Sequence, residues 1–160
     1  MLFKNVLVPY DESEHAAAAL HLAIDLVGDD PEATIRVVTV VSNDIMPPSA
    51  LSAAVAFDTS PVSYENYEAL LSHIAERSDR ELHDDVAGLL GRDLQGIHAK
   101  LVIETRLAGS PVEGITNYAM DHCCDLIVMG RRGLGALRGM LGSVSYGVLR
   151  SADIPVLTVK

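Results

Sequence analysis

Residues 2–13 read Leu2-Phe3-Lys4-Asn5-Val6-Leu7-Val8-Pro9-Tyr10-Asp11-Glu12-Ser13, a short apolar run closed by a proline and followed by polar residues. A run of that length, bounded by a breaker, predicts a buried strand. Ser13–Val27 follows with Ala16, Ala19, Leu20, Ala23, Ile24 and Val27 at helical spacing. Asp11 and Ser13 are both able to cap that helix, since their side-chain oxygens can accept from the free amides of its first turn. The opening unit is therefore strand, turn, helix. Working outward, the β-branched run Ile35–Val41 predicts a second strand. Residues 42–63, with Pro47, Pro48 and Pro61, predict a long irregular connection. Tyr67–Leu90 keeps a helical apolar period, and Ala99–Thr105 is a third strand. Ser110-Pro111-Val112-Glu113 supplies a cap, a proline at the first helical position and a capping-box acid. Asp125–Met129 predicts a fourth strand, Ser143–Arg150 a helix and Ile154–Val159 a last strand. Strands alternating with helices imply βαβ crossovers. The expected fold is one α/β domain over residues 1–160, an open, mostly parallel five-stranded sheet with helices on both faces.

The composition narrows the function. The chain has 160 residues, 12 Lys and Arg against 22 Asp and Glu, a net charge of −10, and 49% hydrophobic residues. It can bury a substantial core. Its surplus of carboxylates disfavours nucleic acid and anionic membrane surfaces, whose binding relies on Lys and Arg. No stretch approaches the roughly 20 apolar residues of a membrane span, and the opening run is too short for a signal peptide. The two cysteines, Cys123 and Cys124, are adjacent, so no disulfide framework is expected and a reducing cytoplasm fits. His122-Cys123-Cys124 reads as closing a buried corner, and the six histidines show no paired metal-ligand spacing, so no metal site is expected from them. No Gly-x-Ser-x-Gly elbow exists, and no catalytic residue is assigned.

The charge is uneven. Between Leu126 and Ala152 there is no Asp or Glu, yet Arg131, Arg132, Arg138 and Arg150 fall there. In an open parallel sheet, ligands bind beyond the carboxyl ends of the strands where strand order reverses. Three such ends carry unusual residues: Pro9 to Ser13, Val40 to Ser42, and Met129 to Gly133. The last continues through Gly135, Gly139 and Gly142 into Ser143-Val144-Ser145. Glycines let a ligand approach backbone amides, and a helix start adds free N–H groups and its dipole. With the serine hydroxyls and arginines, the segment reads as a cradle for a small phosphorylated ligand. It is not a P-loop, since no Gly-x-x-x-x-Gly-Lys-Ser/Thr occurs. It is not a dinucleotide fingerprint either, since the first βα turn lacks glycine.

These residues resemble the universal stress protein family. The likeness rests on Val-Leu-Val-Pro-Tyr-Asp-Glu-Ser at 6–13, Gly-Ser-Pro at 109–111, Asp125 to Gly130, Gly-Ser-Val-Ser at 142–145 and the closing Ile-Pro-Val-Leu-Thr-Val. The family's ATP-binding branch spaces its glycines as Gly, two residues, Gly, nine residues, Gly, then Ser or Thr. Here Gly130 and Gly133 are followed by eight residues before Gly142-Ser143. The resemblance implies strand order 3-2-1-4-5, the adenine nucleotide alpha hydrolase-like, flavodoxin-like variant of the Rossmann architecture. It implies an adenine nucleotide such as ATP or AMP, with or without Mg, and a cytoplasmic stress-response role exerted through conformation or assembly. Pro9 and Asp11 would line the adenosine side, with Asp11 accepting from ribose hydroxyls or holding the metal. Val40 and Met129 would form an apolar wall at the adenine. Gly130 and Gly133 would approach ribose and phosphates, and Gly142, Ser143, Val144 and Ser145 would bind phosphate, while Arg131 and Arg132, by their charge, are candidates to neutralise phosphates. The family also implies a homodimer through the C-terminal strand 154–159, and no protein client is indicated. Two other outputs fit the same residues: a slow ATPase or phosphotransfer enzyme, and a dimeric interaction module that binds no nucleotide.

Overall fold

A computed structural model describes residues 2–42, 64–133 and 141–160. Its elements are β1 (Asn5–Pro9), α1 (Glu14–Val27), β2 (Thr34–Ser42), α2 (Tyr64–Leu90), a 3-10 turn (Gly91–Gly96), β3 (Lys100–Ala108), α3 (Pro111–Asp121), β4 (Leu126–Gly130), α4 (Ser143–Ser151) and β5 (Val156–Val159). The expected irregular connection, apart from Ser42 at the end of β2, lies outside the described residues, as do Gly135, Arg138 and Gly139. All strand pairs are parallel, in the order β3-β2-β1-β4-β5. The anticipated architecture and strand order are those observed.

Side-chain alternation along the central strands divides the core into two layers. Val6, Val8, Ile35, Val37, Leu126 and Val128 pack with Ala16, Ala19, Leu20 and Ala23 of α1 and with Leu82, Val86 and Leu90 of α2. Leu7, Val38, Ile127 and Met129 face the other way, onto Ile115, Tyr118 and Ala119 of α3 and Val148 of α4. Successive strand residues point to opposite faces, so a strand covered on both sides must be apolar throughout. Each fully buried aliphatic side chain contributes about 1.5–3 kcal/mol. No helix among the described residues is long and apolar enough to cross a membrane.

Local chemistry sets the ends of the elements. Ser13 caps α1, its Oγ accepting from the Ala16 amide at 3.1 Å, and Ser110 caps α3 through the Glu113 amide with Pro111 just inside. α3 closes with two reversed hydrogen bonds: the Cys123 amide donates to the Met120 carbonyl at 3.0 Å and the Cys124 amide to the Ala119 carbonyl at 2.8 Å. Cys123 stands between them at φ 51°. This is a Schellman motif, whose left-handed residue is usually glycine because a Cβ is disfavoured there. The strand predicted from Asp125 begins at Leu126, because Asp125 instead turns its carboxylate onto the amides of Lys4 (2.7 Å) and Asn5 (3.1 Å). On the outer edge of β3, Asp79 of α2 accepts from the Thr105 amide at 3.0 Å. α2 thus covers one of the hydrogen-bonding groups that an edge strand leaves open.

Beneath α3 a polar chain crosses three strands. Arg36 Nε donates to Asn5 Oδ1 at 2.9 Å, Asn5 Nδ2 donates to the His122 carbonyl at 2.6 Å, and the Tyr118 hydroxyl donates to Glu104. The Tyr118 ring, almost fully buried, stacks on His122 with centroids 3.9 Å apart. Burial first, then the bond to Glu104, push the Tyr118 hydroxyl up to about 12. The folded state therefore favours the protonated phenol. That stabilisation is complete below the ordinary tyrosine value near 10 and is lost as pH rises from there towards 12. We predict that the stability lost between pH 10 and 12, followed by denaturant unfolding, will be smaller in Tyr118→Phe than in the parent chain. Equal losses would show that the phenol does not titrate as described. A second prediction concerns the α3 turn: Cys123→Gly should raise the unfolding free energy by about 1 kcal/mol by removing the left-handed Cβ, measured from urea midpoints at unchanged slope.

Candidate functional site

Strand order reverses between β1 and β4. From β1 the chain winds through β2 to β3 on one side, then crosses back to β4 and β5 on the other. The segments leaving the carboxyl ends of these two central strands diverge, and the space between them is where an open parallel sheet accepts a ligand.

The β1 side is built on hydrogen bonds to the neighbouring strand. Pro9, half-buried, pairs with Val38, and the Tyr10 amide donates to the Val38 carbonyl at 2.9 Å. Thr39 Oγ1 donates to the Tyr10 carbonyl at 2.8 Å. The Tyr10 ring is buried, and its hydroxyl donates to Asp85 of α2 at 2.5 Å. Burial and the Asp85 carboxylate hold that phenol well above the ordinary range. Asp11 is exposed. Its Oδ1 accepts from the Ser13 amide (3.2 Å) and hydroxyl (2.6 Å), which locks the turn ahead of α1. Glu12 between them takes φ 62°. Of the two predicted caps, Ser13 performs the capping and Asp11 braces it.

The β4 side closes on itself. The Arg131 amide donates to the Val159 carbonyl at 2.7 Å, extending the pairing to β5, and the Gly142 amide donates back to the Arg131 carbonyl at 3.0 Å. The two ends of the glycine-rich segment therefore meet. Gly130 lies so close to α1 that an added Cβ would fall 2.8 Å from His15 Cβ and 2.9 Å from its carbonyl carbon. Gly133 brings the two loops together, since a Cβ there would stand 2.3 Å from Asp11 Oδ2. Gly142 packs over the backbone of Arg131 and Arg132, and Arg132 is half-buried. The buried Nε of Arg131 has no hydrogen-bond partner among the described residues.

α4 points its amino end into this space. Its cap, Gly142, brings no side-chain oxygen, so the amides of Ser143, Val144 and Ser145 have no partner within the helix. Ser143 is exposed and Val144 half-buried. Ser145 differs from the expectation of a phosphate-binding hydroxyl. It is buried, and its Oγ donates to the Gly130 carbonyl at 2.9 Å. With its single proton used there, the hydroxyl ties α4 to the end of β4, and the amide is what remains for a ligand. Arg150 sits in the last turn of α4, away from Gly142. Val40 is half-exposed at the end of β2 and packs on α3, where a Cβ on Gly114 would meet it at 2.6 Å. Met129 is 4% exposed and belongs to the core layer under α3, so it offers a ligand little surface.

The site thus joins unlike chemistries. Asp11 presents an acceptor, the α4 terminus presents donors and positive dipole, and Val40 presents an apolar face. A molecule with hydroxyl or metal-borne donors at one end and an anion at the other would satisfy both. Two residues at the site were not anticipated, His15 behind Gly130 and Tyr10 anchored on Asp85. A glycine at a strand end signals that something approaches closely, but it does not say what.

The sequence matches the universal stress protein family over residues 2–160. A universal stress protein of Thermus aquaticus is 30% identical over 162 residues, covering 99% of this chain and all of that protein. Among solved structures, the chain is similar to a universal stress protein in complex with cAMP (20% identity, TM-score 0.59, 99% of this chain and 98% of that one). It is also similar to the universal stress protein of Archaeoglobus fulgidus in complex with dAMP (19% identity, TM-score 0.58, all of both chains).

Proposed function

We propose that this chain, which belongs to the universal stress protein family, holds an adenine nucleotide across the carboxyl ends of β1 and β4 and responds by changing conformation or assembly in a stress response. The observation that carries the proposal is the convergence of Asp11 on Gly133 together with the start of α4, whose first amides no side chain caps among the described residues. Solved relatives in complex with cAMP and dAMP support the choice of ligand class.

In this reading the backbone does most of the binding. The amides of Ser143, Val144 and Ser145 receive a phosphate, Asp11 accepts from the ribose hydroxyls, and Val40 lies against the base. Arg131 and Arg132 supply the local positive charge. Among the described residues no three His, Cys, Asp or Glu side chains gather as a metal site. Magnesium would thus be held by Asp11 together with the phosphates, as this ion commonly is. Its contribution there would be to neutralise phosphate charge beside the carboxylate.

Assembly is proposed at residues 154–159. β5 forms the far edge of the sheet. Leu157 on it is 39% exposed, and Tyr146 and Leu149 of the adjacent helix are also exposed large hydrophobics. The opposite edge has an amide covered by Asp79. A second copy pairing along β5 would cover both its backbone and this apolar surface.

Acid extraction of the purified protein followed by mass spectrometry should release an adenine nucleotide. Calorimetry with ATP, AMP and cyclic AMP should give binding that Gly133→Val abolishes, because its branched side chain would fill the space held by Asp11. Absence of any nucleotide and of any heat, or an unchanged affinity in Gly133→Val, would sink the site. For the assembly, light scattering should report a dimer that Leu157→Glu converts to monomer. A monomeric parent at tens of micromolar would remove the β5 interface.

A further inference from the structure

The turn that carries Asp11 is held in a strained shape from both sides. Glu12, in its middle, takes φ 62°, a left-handed conformation disfavoured for any residue with a Cβ. Such a conformation persists only where its surroundings over-determine it. Downstream, the Asp11 carboxylate accepts from the Ser13 amide and hydroxyl. Upstream, Tyr10 is tied at three points. Its amide donates to the Val38 carbonyl, its carbonyl accepts from Thr39 Oγ1, and its hydroxyl donates to Asp85 of α2 at 2.5 Å. The first two ties fix the backbone to β2. The third fastens the turn to a helix residue 75 positions further along the chain.

We infer that Tyr10 is a positioning residue of the crevice, and that α2, through the Tyr10–Asp85 hydrogen bond, sets where Asp11 stands. This role rests on the nucleotide reading given above. Tyr10 continues the alternation of Val6 and Val8, so its buried ring joins the same core layer as Leu82 and Val86 of α2. Asp85, next to Val86, stands at the exposed margin of that layer. Burial and the Asp85 carboxylate keep the phenol protonated, so it remains a donor. The helix is itself tied to the sheet edge, where Asp79 accepts from the Thr105 amide. Contacts thus run from that edge through α2 to the residue before Asp11. Without the hydroxyl the ring still fills the core, but the strained turn loses its tie to α2 and Asp11 is released from its place beside Gly133. Coupling between two sites is reciprocal, so a ligand that holds Asp11 also strengthens the Tyr10–Asp85 contact and steadies α2 around it.

The test is calorimetry with AMP and ATP, and with the analogues of each that lack the ribose hydroxyls. Tyr10→Phe and Asp85→Ala break the same bond from its two ends. The first keeps the ring in the core and the second changes an exposed helix position, so both chains should fold. Each variant should bind the nucleotides about 5-fold more weakly or worse, the low end of coupling between distinct sites. The double variant should be no weaker than either alone, because one bond is lost in all three. The analogues, which offer Asp11 no hydroxyl, should bind both variants as they bind the parent. Hydrogen exchange at the amides of residues 82–90 of α2 should slow when nucleotide is added to the parent but not to Tyr10→Phe. Unchanged nucleotide affinity in either variant, an equal loss with the analogues, or exchange in α2 that nucleotide leaves unaltered in the parent would overturn the positioning role and leave the crevice standing. A parent that binds neither nucleotide would instead remove the crevice and this role with it.

Discussion

The structure depends on the seam between β1 and β4. These strands share only two residue pairs in register, Val6 with Leu126 and Leu7 with Ile127. So short a ladder needs closing at both ends. At its foot the Asp125 carboxylate takes the amides of Lys4 and Asn5, and the Asp125 amide returns a bond to the Asn5 carbonyl at 2.9 Å. Left unpaired and buried, such amides would cost about 1–3 kcal/mol each. At its head Gly130 lies against His15 with no room for a Cβ. Asp125 thus fixes the register of the two strands, and Gly130 fixes how closely their departing segments run. Asp11 can meet Gly133 only because both conditions hold.

That division explains what could be read from the residues alone. Strand β1, the Ser13 and Ser110 caps and the apolar run of β4 are local signals, set by period, breaker and cap chemistry. Strand order came from the family likeness, since no local pattern states which strands become neighbours. The sequence also hid whatever depends on distant partners. Asp125 looked like the first residue of a strand because its work is done on Lys4 and Asn5. β3 extends three residues beyond the predicted Thr105, to Ala108, since Arg106, Leu107 and Ala108 pair with Val40, Val41 and Ser42 of β2. Ser145 resembled a phosphate ligand by its place after Gly142. Only the fold shows that its hydroxyl faces the Gly130 carbonyl. The likeness named residues that the fold brings together at the carboxyl ends of β1 and β4, whereas the contacts of their side chains depended on partners across the sheet.

Cys123 illustrates the same limit from the other end of the molecule. Adjacent cysteines at a helix–strand junction read as a closed corner, and for Cys124 the corner is closed. The left-handed residue of a Schellman motif cannot be recognised when it is not glycine, because the signal for that conformation is glycine itself. Its consequence, an exposed thiol at the turn that ends α3, was therefore invisible.

The charge distribution takes a different meaning once it is folded. The acid-free segment from Leu126 to Ala152 suggested four arginines around one phosphate. In the fold Arg150 belongs to the last turn of α4. A nine-residue helix is about 13 Å long, so Arg150 complements the helix carboxyl end and stands far from the amides of Ser143 to Ser145. Among the described residues, attraction at the crevice falls to those amides, the helix dipole, Arg131 and Arg132. Opposite them stands Asp11, which repels a bare anion. A free phosphate would meet both influences at once. A ligand that turns hydroxyls or a cation towards Asp11 and its phosphate towards α4 converts the repulsion into selectivity. In the proposed reading that condition favours a nucleotide over inorganic phosphate, with one carboxylate and three amides to impose it.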